Sequence, residues 1–433
     1  MSLVAAAGLA AFGGAYPAAT IPLLAACAAV FLLTRAHVAV QAETRLLDLA
    51  LVAALAAILV QAFPLPGPIV STLSPEAWPL RSMLQIDRIE ASWPLSIDAR
   101  LTRQALAMAA AAVLLFWAAR EALSRGGIRV AARATAWTGL ALTLLAVAQR
   151  ATAPGLILWH FAPADPGSQP FGLFVNGNHF ATWLLMAGAL TAGYLAAHRR
   201  THRTAHSSRR LLVRDWLADG SGLILAGAIV AMLLGLAASA SRAAILGGAA
   251  GLVFALWLME GRGAAGRPAR AGAIAIAFVM AAAVWGNRET IERKFEAGPA
   301  VARTVIWRET MPLVRDFWFA GTGAGTYSRA MLRYQRTSPE VHFNQAHSEY
   351  VQLVAEGGLL LTLPALVAIF VWLRLARRQL QRDVHETWWL RVGAAAGLLA
   401  AAVQGIFETG WRVPANALLC ALLAAIVVHE RQH

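Results

Sequence analysis

Residues 342–373 read HFNQAHSEYVQLVAEGGLLLTLPALVAIFVWL. A polar approach that closes on His347 runs directly into an apolar stretch, 351–373, long enough to cross a hydrocarbon core as a helix. A histidine at the mouth of a membrane helix can carry a proton at neutral pH. The same pattern recurs along the chain: apolar runs, separated by short connectors that carry arginine. With 58% hydrophobic and 14% charged residues and a mean hydropathy of +0.57, the chain has too little polar surface for a soluble protein of 433 residues. The expected class is an all-α polytopic membrane protein forming a single membrane domain over 1–433.

Splitting the first run at the Gly13, Gly14, Tyr16, Pro17 cluster predicts about twelve helices. They fall at 3–15, 18–34, 46–63, 101–119, 134–152, 179–197, 217–238, 243–259, 271–286, 351–373, 389–408 and 413–430. The first run has no separable cleavage site, so it reads as a retained helix. Threaded this way, most of the net +14 falls on one side of the membrane, in the connectors 35–45, 120–133, 199–214, 262–270 and 374–391. By the positive-inside rule that side is cytoplasmic and holds both termini. The basic balance therefore reports orientation, and nucleic acid is not an expected partner. Cys27 and Cys420 lie inside apolar runs and read as packing.

Three external segments remain: 64–100, 153–178 and 287–350. The last is the largest, and it falls between helices nine and ten. Its opening, RETIERKFEAG (288–298), alternates acids and bases as a solvated helix does. Trp307, Trp318 and Phe319 suit a helix lying on the membrane surface. Four external features could carry chemistry. FVNGNH (174–179) places Asn176 and Asn178 ahead of a membrane helix, as turn and cap or as ligands. SASRAA (239–244) places Arg242 in a tight turn beside the apolar core, where it either snorkels or pairs with an anion. ARTVIW (302–307) and FAGTGAGTYSRAM (319–331) offer Arg303, Arg308 and Arg315, and a turn at Gly321, Gly323 and Gly325 whose N–H groups could cradle a phosphate. That turn lacks the lysine of a P-loop, and no βα context surrounds it. AHSEYVQLVAEGG (346–358) supplies His347, Tyr350, Gln352 and Glu356. His342 and His347 are five apart, and no carboxylate cluster completes a metal set, so no metal and no cofactor is expected.

In this order, the N-x-N segment, the S-x-S-R turn, the R-x-x-x-W segment, the G-x-G-x-G-T-Y turn and the A-H-S-E-Y-x-Q-x-x-x-E-G-G segment resemble the O-antigen ligase and O-antigen polymerase superfamily. The common form of the family has Asn after the histidine, where this chain has Ser348. The resemblance implies a GT-C-like glycosyltransferase of the bacterial inner membrane, with its active site on the periplasmic side. It implies an undecaprenyl diphosphate-linked glycan as donor, and a lipid A-core or a second carrier-linked glycan as acceptor, among membrane lipids. By match, His347 is the general base and Arg303 and Arg242 complete the catalytic set; Arg308, Asn178, Glu356, Tyr350 and Gly323 are candidate substrate-binding residues. The bottom-up chemistry is compatible. A glycosyl transfer from a diphosphate needs a base for the acceptor hydroxyl and cations for the leaving group, here without a metal ion. Ligase is the expected activity; polymerase is the alternative within the family, and a lipid-linked glycan transporter or flippase is the alternative outside it.

Overall fold

The structure is a computed structural model, and it describes residues 8–9, 13, 16–84, 92–163, 169–201, 219–264, 272, 274, 299–337 and 342–430. The expected helices 3–15 and 271–286 and the segment 288–298 lie wholly or largely outside these residues. The described helices are α1 (Thr20–Thr34), α2 (Arg45–Ala62), α3 (Gly67–Leu73), α4 (Ala77–Leu84), α5 (Ala99–Ser124), α6 (Ile128–Thr152), α7 (Gly177–Thr201), α8 (Gly220–Ala238), α9 (Arg242–Gly261), α10 (Pro299–Asp316), α11 (Tyr327–Tyr334), α12 (Glu349–Arg382), α13 (Thr387–Gln404) and α14 (Pro414–Val428). A three-residue antiparallel pair, β1 (Pro64–Pro66) with β2 (Ser92–Pro94), is the one sheet among the described residues. Eight described helices are long and apolar enough to cross a membrane: α1 with its preceding turn, α2, α5, α6, α7, α8, α9 and α12. The chain is an all-α polytopic membrane protein.

Lipid is as apolar as leucine, so hydrophobicity alone cannot draw these helices together, and small residues set their closest approaches. A Cβ on Gly193 of α7 would lie 2.4 Å from the Trp389 carbonyl oxygen of α13. On α9, a Cβ at Gly247 would lie 2.3 Å from the Ala400 carbonyl. The centre of the bundle is therefore α13, buried from Trp388 to Gly397. At the arginine-rich end, buried charges are paired, as an apolar setting requires. Asp48 accepts from both terminal nitrogens of Arg120, at 2.7 and 2.8 Å, and from the Trp117 indole at 2.9 Å. Asp383 accepts from Nε of Arg391 at 2.8 Å.

At the other end, the described parts of 64–100 and 287–350 pack against each other. Leu80, Leu95, Ile97, Phe317, Tyr327 and Met331 form one apolar core between them. The Ile97 N–H donates to the Thr322 carbonyl at 2.9 Å. The surface helix expected to carry Trp307, Trp318 and Phe319 ends instead at Asp316. Trp307 turns inward and donates its indole N–H to the Ala346 carbonyl at 2.8 Å. Trp318 lies past the helix end and is exposed.

The membrane helix predicted at 351–373 is α12, and it is broken at Gly358 (φ 54°, ψ −161°). The residues 318–323 fill the break. Leu359 and Leu360 N–H groups donate to the Trp318 and Phe319 carbonyls, and Thr322 and Gly323 N–H groups donate to the Ala355 and Glu356 carbonyls. Gln61 of α2 completes the joint by donating to the Ala320 and Glu356 carbonyls at 2.6 and 2.9 Å. Backbone that leaves the helix at membrane depth is tolerated only where protein satisfies it in this way. Gly321 and Gly358 are glycine because their backbones touch: a Cβ on Gly358 would lie 2.4 Å from the Gly321 nitrogen.

Candidate active site

A cavity of about 1180 Å³ opens at the end of the bundle opposite the Asp48–Arg120 pair. Part of its wall is apolar, including Ile58, Leu101, Met108, Leu353, Leu361 and Ala417. Its mouth is polar, and several helices begin there. Asn178, Arg242, Tyr327 and Pro414 line it from the first turns of α7, α9, α11 and α14. The N-termini of α7, α9 and α14 turn the positive ends of their helix dipoles to this mouth and favour an anion there; at α11 the Tyr327 N–H is already taken by Glu356. Ser241, the N-cap of α9, is buried there, and its hydroxyl has no hydrogen-bond partner among the described residues.

The centre of the mouth is Glu408, in the connection between α13 and α14. Its side chain is only 3% exposed. One oxygen accepts from Arg303 at 2.9 Å and from the Asn178 side chain at 2.8 Å. The other oxygen lies 3.7 Å from Nδ1 of His347. Burial pushes the Glu408 carboxyl up, but the neighbouring His347 and the charges of His179 and Arg303 outweigh that and hold it below the ordinary carboxylate range. It is therefore a fixed anion held by two donors, with the imidazole of His347 facing its second oxygen.

His347 sits one residue before the N-cap of α12, with a left-handed backbone (φ 48°). This conformation is uncommon outside glycine, asparagine, aspartate and histidine. It follows a strip whose members are tied down individually: the Ala346 N–H donates to Gln352, and Gln345 accepts from Thr409. With Nδ1 turned to Glu408, Nε2 of the imidazole is left for a substrate. This is the arrangement in which a carboxylate orients a general base.

The structure thus gathers His347, Arg303, Arg242, Asn178 and Glu356 around one cavity. Arg308 and Tyr350 are not among its lining residues. Arg308 is exposed on a different face of α10 from Arg303, and the Tyr350 hydroxyl donates to the Ala402 carbonyl at 2.9 Å. The glycine turn has the left-handed geometry expected at Gly321, Gly323 and Gly325. Its N–H groups, however, are committed within the protein: Gly323 to the Glu356 carbonyl, Ala324 to Gln61, and Gly325 and Tyr327 to the Glu356 carboxylate. The anion this turn cradles is a protein side chain. The Glu356 carboxylate also pairs with an arginine, Arg412, at 2.5 Å.

Glu408 and Arg412 are the residues that sequence reasoning passed over; His179, which closes the FVNGNH segment, also lines the cavity. Arg412 bridges Glu356 and Glu349, the latter at 3.3 Å. Burial would lower its pKa, but the two carboxylates raise it above the usual arginine value. The signal was present in FETGWRVP (407–414): an acid and an arginine in a short connector on the same side as His347. Taking 408 as the end of an apolar run hid the acid. Among the described residues, no group of three or more His, Cys, Asp or Glu side chains is placed to hold a metal ion.

Fold and site together define a multi-pass helical membrane protein with a buried acid, a histidine and two arginines at one end of the bundle. Residues 227–366 match the family model described as O-antigen ligase. That interval contains Arg242, Arg303, the glycine turn, His347 and the Gly358 break, and the match supports the O-antigen ligase superfamily for this chain. No curated protein matches the chain.

Proposed function

We propose that this protein is an O-antigen ligase-type glycosyltransferase. It transfers a glycan from undecaprenyl diphosphate to a hydroxyl of the lipid A-core oligosaccharide, with inversion, on the periplasmic side of the inner membrane. The observation that carries the proposal is the Glu408 carboxylate, which faces His347 at 3.7 Å and binds Arg303 at 2.9 Å in a cavity that also holds Arg242. In this reading the chain is one GT-C-like membrane domain over 1–433, with twelve helices and 287–350 as its periplasmic part. The concentration of Arg120, Arg129, Arg262 and Arg391 at the opposite end of the bundle supports a periplasmic cavity.

His347 Nε2 takes the proton of the acceptor hydroxyl as its oxygen attacks the anomeric carbon from the face opposite the diphosphate. The new C–O bond forms as the bond to the diphosphate breaks, and the carrier leaves as its diphosphate. Glu408 stabilises the imidazolium that results. Arg242, with Arg303 beside it, binds the departing diphosphate, aided by the N-terminus of α9 and the Ser241 hydroxyl. The carrier's polyprenyl tail lies along the apolar wall beside Leu101 and Met108.

The test is transfer by purified protein given carrier-linked glycan and a lipid A-core acceptor. His347→Ala is expected to slow transfer by about a hundredfold or more, the usual scale of general-base catalysis. Undiminished transfer would end the proposal. Lipid translocation without any transfer would make the protein a transporter, and a product built on a second carrier-linked unit would make it a polymerase.

A further inference from the structure

The cavity mouth contains a second polar cluster that the transfer mechanism does not use. The Ser328 hydroxyl, on the first turn of α11, lies 3.0 Å from Nε2 of His342 and 3.2 Å from Oδ1 of Asn344. All three residues line the cavity. A hydroxyl has one proton, so Ser328 donates to Asn344 and accepts from the imidazole N–H. That leaves the Asn344 amide nitrogen, the second histidine nitrogen and a lone pair on Ser328 directed to other partners. His342 and Asn344 are both exposed, so these groups meet whatever fills the mouth.

The cluster is displaced from the reacting centre. Residues 342–347 run as one strip along the cavity wall, at most roughly 17 Å from end to end. One end is fastened to α11 through Ser328, and the other reaches the last connector, where Gln345 contacts Thr409 and His347 faces Glu408. Arg242, Arg303 and Asn178 belong to the Glu408 end. Among the described residues, no arginine or acid side chain is hydrogen-bonded to Ser328, His342 or Asn344. Uncharged donors and acceptors at fixed spacing, set apart from the anion-binding groups, suit sugar hydroxyls rather than a phosphate.

We infer that Ser328, His342 and Asn344 form a glycan subsite. It binds the hydroxyls of a sugar at a distance from the scissile linkage and favours longer glycans over truncated ones. The inference rests on the proposed glycosyl transfer. Its ligand is a neutral stretch of glycan, which either the donor or the acceptor could supply.

Donor from the source organism, carrying one repeat unit or several, is compared at fixed acceptor. In a second arm, the organism's lipid A-core glycolipid, intact or trimmed of outer sugars, is compared at fixed donor. In the Ser328→Ala/Asn344→Ala double variant, the long-over-short preference in kcat/KM is expected to fall about tenfold in one arm. That is the scale of one to two neutral hydrogen bonds. The loss should appear in KM, with kcat unchanged, and the arm that responds identifies the source. Turnover of the short substrates by the same preparation reports that the variant is folded. An active double variant that keeps the full preference in both arms refutes the subsite but not the transferase. A wild-type protein that transfers nothing overturns both.

Discussion

Replacing Glu408 with glutamine removes one charge and keeps nearly the same shape. At 3.7 Å, a carboxylate and an imidazolium attract by roughly 4.5 kcal/mol at an effective dielectric constant of about 20. The His347 side chain is 39% exposed, so water screens part of this, and about 2–3 kcal/mol is a fair remainder. Because the imidazolium forms only as the acceptor loses its proton, that energy belongs to the transition state. Glu408→Gln should therefore lower kcat by about 30- to 150-fold while donor KM changes little. The assay is single-turnover transfer from carrier-linked glycan, with a thermal melt as the check on folding. The double variant Glu408→Gln/His347→Ala should be no slower than His347→Ala alone, since the carboxylate acts through the imidazole. Retention of turnover within about threefold of wild type in Glu408→Gln, or fully additive losses in the double variant, would refute the assignment of Glu408 as the group that positions and charges the base.

Other outcomes follow from the same contacts. Gly358→Ala places a Cβ at φ +54° against the Gly321 nitrogen and the Phe319 carbonyl; a loss of about 3 kcal/mol or more of stability is expected, read as a lowered melting temperature in detergent. Arg412→Met leaves Glu349 and Glu356 without their shared partner. A loss of about 2–4 kcal/mol is expected, below the full value for a buried pair because Arg412 is 30% exposed, and adding Glu356→Gln should restore part of it. Glu408 and Asp383 both titrate below the ordinary carboxylate range. For Asp383, the bonds from the His385 N–H, Arg391 and Thr387 outweigh burial. A depressed folded pKa means that the stability contributed is complete above the unfolded value of roughly 4 and is lost as pH falls through the folded value. Melting temperature should therefore hold near neutral pH and drop below about pH 4. Glu408→Gln and Asp383→Asn should each flatten that drop, and equal slopes in wild type and variants would contradict the assignment.

Much of the bundle was legible because a membrane helix must be apolar throughout its length and satisfies its own backbone. Runs such as 134–152 and 243–259 could be read as α6 and α9 with ends a few residues out. Arg242, Arg303, Asn178 and His347 could be placed on one side because arginine-bearing connectors orient the helices. The break at Gly358 could not be read from the run 351–373, since glycine and proline both occur there. Only the packing of 318–323 against it shows that Gly358 breaks the helix and Pro364 does not.

The amino-acid sequence by itself determined the class and the residue types available at the cavity end of the bundle, since length, hydropathy and charge act locally. The tertiary structure decided which of those residues meet. Asn178, Arg303 and His347 converge on Glu408 because separate helix ends pack around it, and a buried carboxylate is stable only where such donors arrive together. It decided equally that the glycine turn holds Glu356 instead of a ligand. Partners across more than two hundred positions, such as Asn178 and Glu408, leave no periodic trace in a sequence, because the spacing between them is set by folding and not by the repeat of a helix.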